Sequence, residues 1–505
     1  MTISRAFVVE IDSGPVCGVE TDAVISFLGV PYAAPPVADL RWMPPQPPAA
    51  WTDTRDCHEF GHDSLQHADL GVFARAGGDE DCLHLNVFVP KRPTISHAKL
   101  PVLVWIHGGA TLVGSGRDYN PHKMVTLGQV IVVTLNYRLG ILGYFSHPEI
   151  DSEPHPFGNY GLMDQQLALD WVQRNIAAFG GDPDNVTLFG ESTGGNSTLA
   201  HLVSPRSRGK FHHAIVMSGG APALKWPAFG SPVPLDEARK MGMEFAKTVD
   251  CQSAADLRSA SVETLLAAQG PFVARHQFFI DGEIVPAHPG EMLRSGRFNH
   301  VTVVIGHTTD EGTFFAGLME NGSGSAMTES DYRNEIVNLF GTLADEVLNE
   351  YPAASFQSPS EAYAAVFTDH MFACTTPLIA SWTSKWTPTY VYEFNDKTAP
   401  SYLRPTSFPL GASHTYELPY LFEGFRGGDG RPVTLNPLQE KLSDRMVEYW
   451  TSIAEASFRE DDWPRYDPEA DNVLVLTLPE PRMVSGYFAH FHRFQFWQAT
   501  GLYMS

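Results

Sequence analysis

One serine stands in a setting that makes it a candidate nucleophile. Residues 190–194 read Gly-Glu-Ser-Thr-Gly, and Ser192 is the only serine of the chain with glycines on both sides at this spacing. The apolar run Val186–Phe189, a predicted strand, precedes the motif, and a helical segment follows it. Such a strand–turn–helix requires small residues beside the serine and projects its hydroxyl from the sheet edge. We therefore predict a nucleophile; the alternative is a glycine-rich turn with an incidental serine.

A second glycine-rich segment could stabilise negative charge on a reacting oxygen. Trp105–Ala110 (WIHGGA) follows another predicted strand and precedes the serine in the chain. A loop of this kind can aim backbone N–H groups at the oxyanion of a tetrahedral intermediate. We expect these donors to be Gly109, Ala110 and Thr193, with alanine in the place of a usual third glycine. His107 precedes the serine, which is the wrong order for the base, and is interpreted as an anchor of the loop.

Alternating strands and helices must position these groups. The pattern at Leu162–Ile176 indicates a helix with one apolar face. Six apolar, largely β-branched runs predict strands of a mainly parallel sheet: Pro101–Ile106, Val130–Leu135, Val186–Phe189, His213–Met217, Val301–Ile305 and Val391–Phe394. The alternation predicts an α/β architecture. Residues 222–278 and 320–385 are interpreted as helical insertions over the sheet's C-terminal edge, where such sheets bind ligands.

Composition excludes several function classes. The 505-residue chain has a net charge of −24, which argues against a general binder of nucleic acid or anionic membranes. Its 11% aromatic content excludes an acidic disordered chain. The sequence contains no signal-peptide pattern and no apolar stretch near the ~20 residues that span a bilayer, so we expect a soluble, cytoplasmic protein. Neither metal-ligand spacing nor a phosphate-binding glycine loop is found, so we expect no metal and no cofactor.

Long stretches of the chain resemble one enzyme family, the type-B carboxylesterases within the carboxylesterase/cholinesterase family of α/β-hydrolases. Beside the two glycine motifs, the matching segments are Phe27–Pro36 (FLGVPYAAPP), Glu80–Pro90 (EDCLHLNVFVP), Asn136–Arg138 (NYR) and Gly158–Gly195. Length alone suggests about three domains. The resemblance implies instead a single α/β-hydrolase domain over residues 1–505, with a mainly parallel central sheet, flanking helices and large helical insertions over the active site.

The resemblance also implies the partners of the serine. Gly306–Gly312 (GHTTDEG) matches the family's acid motif and implies Glu311, with Asp310 as a rival one residue away. Gly411–Phe422 (GASHTYELPYLF) resembles the family's histidine segment and implies His414. The resulting chain order of serine, acid and histidine is the one that this fold uses.

Further residues are implied around this triad. Glu191 resembles a position that shapes the site's electrostatics, and Ser218 is a candidate to support it from behind. Cys82 matches a family cysteine that pairs with an upstream one, so Cys57 and Cys82 form either a disulfide or two reduced thiols. The resemblance also implies two buried ion pairs, Arg41 with Glu80 and Arg138 with Asp164.

The resemblance implies a serine carboxylesterase that hydrolyses small to medium lipophilic esters through an acyl-enzyme. The choline-binding tryptophan of cholinesterases has no counterpart in Gly71–Gly78, so cation–π capture of a quaternary ammonium loses its main support. The alternatives are a specialised esterase, amidase or carbamate hydrolase of a xenobiotic or natural product, and a non-catalytic adhesion protein. The expected partner is a small-molecule ester, and the oligomeric state stays open. The candidate pocket residues are Phe278, Phe279, Phe314, Phe315, Phe367 and Phe372.

Overall fold

The fold is described from a computed structural model. The structure describes residues 7–21, 23–67, 75–91, 99–228, 230–273, 278–426, 432–454 and 461–504. Part of Gly71–Gly78, the segment considered above for a choline-binding tryptophan, lies outside the described residues.

The strands, in chain order from β1 to β17, are Phe7–Ile11, Gly14–Glu20, Val24–Pro31, Arg55–Asp56, His84–Pro90, Leu100–Ile106, Ile131–Leu135, Tyr144–Phe145, Gly158–Asn159, Gly181–Glu191, His213–Met217, Val233–Pro234, Phe279–Ile280, Thr302–Thr308, Thr389–Phe394, Val473–Leu476 and Arg482–Val484. The helices, from α1 to α18, are His122–Leu127, Gly140–Gly143, Pro148–Asp151, Tyr160–Asn175, Thr193–Val203, Leu235–Thr248, Ala254–Ser259, Val262–Val273, Pro289–Arg294, Glu311–Ser323, Glu329–Phe340, Ala344–Glu350, Pro359–Thr368, Thr375–Thr383, Leu418–Leu421, Pro437–Ser452, Tyr487–Phe491 and Phe494–Ala499.

One large sheet organises the fold. Within the described residues it runs in the order β1-β2-β3-β5-β7-β6-β10-β11-β14-β15-β16-β17, with β4 beside β2. Each strand of the run β7-β6-β10-β11-β14-β15-β16 is parallel to the next. The pairs β1-β2, β2-β3, β3-β5, β5-β7 and β16-β17 are antiparallel, and β4 is parallel to β2. The six strands predicted from sequence are β6, β7, β10, β11, β14 and β15, which lie side by side at the centre. The predicted α/β architecture with a mainly parallel sheet is confirmed.

Burial on both faces explains why the central strands are rich in apolar residues. In β6, Val102, Val104 and Ile106 pack into the core on one face, while Leu103 and Trp105 pack into the core on the other. Helices cover both sides, so neither face of the strand meets water. A third apolar cluster lies among the helices α11 to α13 and includes Tyr332, Ile336 and Phe367.

Helices occupy both segments that were predicted as insertions. Residues 222–278 contain α6, α7 and α8, and residues 320–385 contain the end of α10 and the helices α11 to α14. A π-helical turn, Asp369–Ala373, connects α13 to α14. None of the helices in the described ranges is long and apolar enough to cross a membrane.

Both ion pairs implied by the resemblance are present. Arg41 Nε and Nη2 donate to the two carboxylate oxygens of Glu80, each at 2.7 Å. Arg138 donates in the same two-pronged way to Asp164 at 2.8 and 2.7 Å, and both side chains are buried.

The five cysteines are free thiols in this structure. Of the two states considered for Cys57 and Cys82, the structure therefore holds the reduced one. Burial raises the pKa of each of these two thiols to about 12, so both remain protonated at neutral pH. A thiol that does not ionise is a poor nucleophile and a poor metal ligand.

Candidate active site

Ser192 lies at a strained turn between β10 and α5. Its φ and ψ are 58° and −121°, a conformation that a non-glycine residue adopts only at a cost of about 1–3 kcal/mol. The flanking glycines are required by contact: a Cβ on Gly190 would lie 2.5 Å from the Gly194 carbonyl carbon, and one on Gly194 would lie 2.1 Å from the Ile106 oxygen. The Ser192 N–H donates to the Met217 oxygen of β11 at 2.9 Å, which ties the turn to the sheet.

Glu311 and His414 form a buried hydrogen-bonded pair. Glu311 begins α10 just after β14, and its Oε2 contacts His414 Nδ1. Its other oxygen accepts hydrogen bonds from Ser218 Oγ at 2.6 Å and from the Thr308 N–H at 2.8 Å. Both carboxylate oxygens are therefore fixed, and Glu311 holds the imidazole of His414 through its Nδ1.

Asp310, the rival acid, points elsewhere. Its carboxylate pairs with Lys397 Nζ at 2.6 Å and accepts the Ala412 N–H at 2.8 Å. It is partly exposed and anchors the histidine-bearing segment rather than touching the imidazole.

The side chain of Glu191 lies close to the second ring nitrogen of His414. Glu191 immediately precedes Ser192, and its Oε1 lies 3.2 Å from His414 Nε2. Burial, reinforced by the negative charge of Glu311, raises the pKa of Glu191 well above its ordinary value. The side chain therefore favours the uncharged form, in which it competes less strongly for the imidazole proton.

The loop predicted to hold the oxyanion donors lies directly against the nucleophile. A Cβ on Gly108 would lie 3.0 Å from Ser192 Cβ. Gly109, with φ of 104°, has no room for a side chain, because a Cβ there would lie 2.1 Å from the Val113 oxygen. Ala110 adopts a left-handed φ of 57° without being glycine. The next residue, Thr111, donates its N–H to Thr193 Oγ1 at 3.3 Å, which joins the loop to the first residue of α5.

His107 is built into the core as an anchor of this loop. Its ring stacks on Tyr137 with centroids 4.5 Å apart, and its Nδ1 lies 2.8 Å from the Gly108 oxygen. Burial lowers the pKa of His107 to about 4, so the ring is neutral at neutral pH. This arrangement agrees with the interpretation of His107 as an anchor of the loop.

Four phenylalanines surround the imidazole and are called the phenylalanine cluster below. The ring centroids of Phe314, Phe315 and Phe372 lie 5.6, 5.2 and 5.3 Å from that of His414. Phe367 packs on Phe315 at 4.5 Å. The other two candidates, Phe278 and Phe279, belong to a separate part of the core, where Phe279 packs against Gly158.

Glu417 is a member of the site that no motif singled out. It is fully buried, and neither carboxyl oxygen has a hydrogen-bond partner among the described residues. Burial, followed by the negative charges of Glu191 and Glu311, raises the pKa of Glu417 well above its ordinary value. Its only sequence signal is a spacing of three residues from His414, which places the two side chains on one turn of backbone.

Comparisons with known proteins place this chain in a family. A model of the carboxylesterase family matches residues 5–497. The chain is 34% identical to cocaine esterase of Homo sapiens over 94% of this chain and 87% of that protein. It is 34% identical to para-nitrobenzyl esterase of Bacillus subtilis over 92% and 93% of the two chains. Among solved structures, a thermophilic PNB esterase superposes with a TM-score of 0.82 at 30% identity, covering 98% of this chain and 100% of its own.

These matches extend over nearly the whole chain and agree with the parallel sheet and the strained serine turn. The predicted α/β-hydrolase fold is confirmed by the superposition. The chain belongs to the carboxylesterase family, and it is a carboxylic ester hydrolase.

Proposed function

We propose that the chain is a serine carboxylesterase whose triad is Ser192, Glu311 and His414. The observation that carries this proposal is the buried Glu311–His414 pair, whose Nε2 lies 3.2 Å from the carboxylate of Glu191, the residue next to Ser192. A serine hydroxyl is a weak nucleophile unless a base removes its proton and an acid orients that base. His414 supplies the base, and Glu311 supplies the acid that orients it.

The proposed reaction is a two-step acyl transfer. His414 Nε2 takes the Ser192 proton while Oγ attacks the ester carbonyl, and Glu311 stabilises the imidazolium through Nδ1. The N–H groups of Gly109, Ala110 and Thr193 stabilise the oxyanion. His414 then gives its proton to the leaving alcohol, and water hydrolyses the acyl-enzyme by the same route. The reaction needs no metal or organic cofactor.

Ser218 and Glu191 are proposed as positioning residues. Ser218 holds the oxygen of Glu311 that does not contact the histidine, which fixes the plane of the carboxylate. Glu191 contacts the other ring nitrogen of His414 and so limits how far the imidazole can turn away from the serine. We further propose that residues 1–505 act as one catalytic domain, because the triad residues lie far apart in the chain and meet at one place.

The phenylalanine cluster supports a lipophilic acyl or alcohol group in the substrate. Phe315 is only partly buried and lies between His414 and Phe367, so its ring can contact a bound chain. The names of the relatives, cocaine esterase and para-nitrobenzyl esterase, also refer to esters with aromatic groups. Amides and carbamates would use the same groups. Comparing p-nitrophenyl esters with matched p-nitroanilides and carbamates separates these classes, and we expect the esters to react fastest.

An organophosphate should label the enzyme at a single residue. Because it mimics the tetrahedral intermediate, diethyl p-nitrophenyl phosphate is expected to release one equivalent of p-nitrophenol per chain and to abolish activity in proportion. Peptide mass spectrometry should find the diethylphosphoryl group on Ser192. Protein unfolded in urea, which lacks the Glu311–His414 pair, serves as the control and should not react. A label elsewhere, or full activity after labelling, would contradict the proposed triad.

Shortening Phe315 to alanine should change the preference for acyl length. Since burying a large apolar group contributes about 1.5–3 kcal/mol, we expect kcat/KM for a p-nitrophenyl ester with a long acyl chain to fall by about 10–100-fold. The value for p-nitrophenyl acetate should change much less. Phe7→Ala, at a half-exposed phenylalanine of the edge strand β1, is the control and should leave the profile unchanged. An equal loss for all acyl lengths would count against a substrate contact.

A further inference from the structure

A second group of reactive side chains lies on the sheet next to the acid-bearing loop. His307 on β14 and Glu393 on β15 are direct neighbours in the parallel register, so their side chains leave the same face of the sheet. His492, at the end of α17, completes the group. His307 Nε2 and His492 Nε2 each lie 3.2 Å from the same atom, Glu393 Oε2. The three residues, called the His–Glu–His cluster below, play no part in the proposed mechanism.

His307 is not satisfied by the protein. It is fully buried, and neither of its ring nitrogens makes a hydrogen bond of normal geometry to any described residue. Leaving a buried polar group without its hydrogen bond is costly, because the group has lost its water and gained no partner. His307 Nε2, the nitrogen nearest Glu393, therefore has either a lone pair or an N–H without a proper hydrogen-bond partner. Two other potential ligand atoms, from Glu393 and His492, lie close to it.

Separations between the ligand atoms fit a small divalent cation. All three lie within 4.8 Å of one another. With Zn–N and Zn–O bonds of about 2.0–2.2 Å, tetrahedral geometry places neighbouring ligand atoms about 3.3 Å apart. The two separations of 3.2 Å from Glu393 agree with this value. Two imidazoles and one carboxylate are ligands that zinc accepts, with a fourth position left for water.

The surroundings have the hydrogen bonds that orient zinc ligands. His492 Nδ1 lies 2.7 Å from Asp369 Oδ1, so the carboxylate can hold the ring with Nε2 directed at the cluster. Glu393 Oε1, the oxygen away from the histidines, accepts hydrogen bonds from Tyr487 and Thr309. Histidine ligands of zinc almost always donate their second N–H to a carboxylate or carbonyl, and ligating carboxylates are themselves hydrogen-bonded.

A path from the surface to the cluster also exists. A surface cavity of about 490 Å³ is lined by Thr309, Asp369, His492 and Arg493, among others. A hydrated ion can therefore approach the cluster from the His492 side.

We propose that His307 Nε2, Glu393 Oε2 and His492 Nε2 bind one zinc ion. The site would join the C-terminal helices to the sheet and to the π-helical turn that carries Asp369. The site is separate from the proposed mechanism, in which none of its three ligands takes part. Zinc binding releases the proton that His492 Nε2 otherwise carries. Burial alone would lower the pKa of His492, but its hydrogen bonds to Asp369 and Glu393 outweigh burial and raise it to about 10.

The full chain, cleared of metal with a chelator and then dialysed against zinc, is the sample that tests this site. We expect about one zinc per chain by mass spectrometry of the metal, and a higher unfolding temperature with zinc than without. Cobalt(II) in place of zinc should give the visible absorption bands of a four-coordinate ion. A wild-type chain that retains no metal would overturn the proposal, because the cluster would then be held by a proton on His492 alone.

Variants locate the ion. His307→Leu should lose zinc, whereas Asp369→Asn should keep it with an affinity about 10–100-fold weaker, because it removes only the support of His492. His58→Ala is the matched control: among the described residues, His58 belongs to a second possible ligand group with the exposed Asp56 and the buried Cys17, and the variant should still bind one zinc. Loss of zinc in His58→Ala but not in His307→Leu would place the ion in that second group and overturn the proposal. Esterase activity is a separate readout, so failure of the zinc site leaves the triad untouched.

Discussion

Ser192→Ala is expected to lower kcat for p-nitrophenyl esters by about 10⁴–10⁶-fold. The variant removes the atom proposed to form the acyl-enzyme, while Glu311 and His414 keep their hydrogen bond. The residual rate comes from the oxyanion donors and from substrate binding, which do not need the hydroxyl. KM should change much less than kcat. Steady-state kinetics on the purified variant measures both, and its circular dichroism should match that of the wild type.

A matched control separates the hydroxyl of Ser192 from the effect of altering the helix. Ser197 is a buried serine one turn further along α5, where its Oγ accepts a weak hydrogen bond from Gln165 at 3.4 Å. Ser197→Ala should keep kcat within about tenfold of the wild type and should still react with the organophosphate, whereas Ser192→Ala should not react. Substantial ester hydrolysis by Ser192→Ala would show that another residue forms the acyl-enzyme.

The centre of the fold could be predicted because its strands are buried on both faces. Such strands are rich in apolar residues, and β11 spans the predicted residues His213–Met217. Elements that depend on local end signals were predicted less well. The Gly/Ser-rich patch Asn321–Ser325 has the composition of a surface loop. Instead α10 continues through Ser323 and ends at Gly324, whose positive φ terminates the helix.

The candidate site likewise contains parts that the local sequence predicts and parts that it does not. The serine turn is a local structure, and its small residues are visible in the sequence because a Cβ at Gly190 or Gly194 would overlap the backbone. The choice between Asp310 and Glu311 rested on register alone, and in the structure the two carboxylates have different partners, Lys397 and His414.

The His–Glu–His cluster has no sequence spacing that a motif could detect. It depends on the register of β14 with β15 and on the return of the C-terminal helices. This is why no metal was expected from the sequence. Glu417 could not be predicted for a related reason, since a single buried glutamate has no sequence pattern of its own.

The second large effect is expected at the ion pair between Arg138 and Asp164, where either partner alone would be a buried, unpaired charge. Asp164 also accepts the Arg138 N–H at 3.0 Å, and Arg138 Nη1 donates to the Met43 oxygen at 2.9 Å. The pair thus fixes the segment after β7 against α4. We expect Asp164→Leu and Arg138→Met each to lower the free energy of unfolding by about 3–5 kcal/mol at neutral pH, measured by urea denaturation. The double variant should recover much of the loss, because it buries no charge.

The two single variants should differ in their response to acid. In Arg138→Met, Asp164 can escape the unpaired charge by binding a proton, since burial already raises its pKa and the arginine that opposes this shift is gone. The pKa of Asp164 is then higher in the folded than in the unfolded state. The loss in free energy of unfolding is therefore full at pH values above the folded pKa, and it becomes smaller as the pH falls through that pKa. A guanidinium has no such escape, so the penalty of Asp164→Leu should not shrink. Equal pH profiles would show that lost packing, and not unpaired charge, causes the instability.

An exposed pair in the same chain provides the scale for this comparison. Arg174 Nε donates to Asp12 Oδ2 at 2.7 Å, a contact as short as those of the buried pair, but the two side chains are 44% and 35% exposed. Water solvates either partner when the other is removed, so Arg174→Met should cost no more than about 1 kcal/mol. A loss as large as that of Arg138→Met would mean that contact distance determines the effect. We expect a smaller loss for Arg174→Met than for Arg138→Met. Such a difference would show that burial, and not contact distance, makes Arg138 and Asp164 depend on each other.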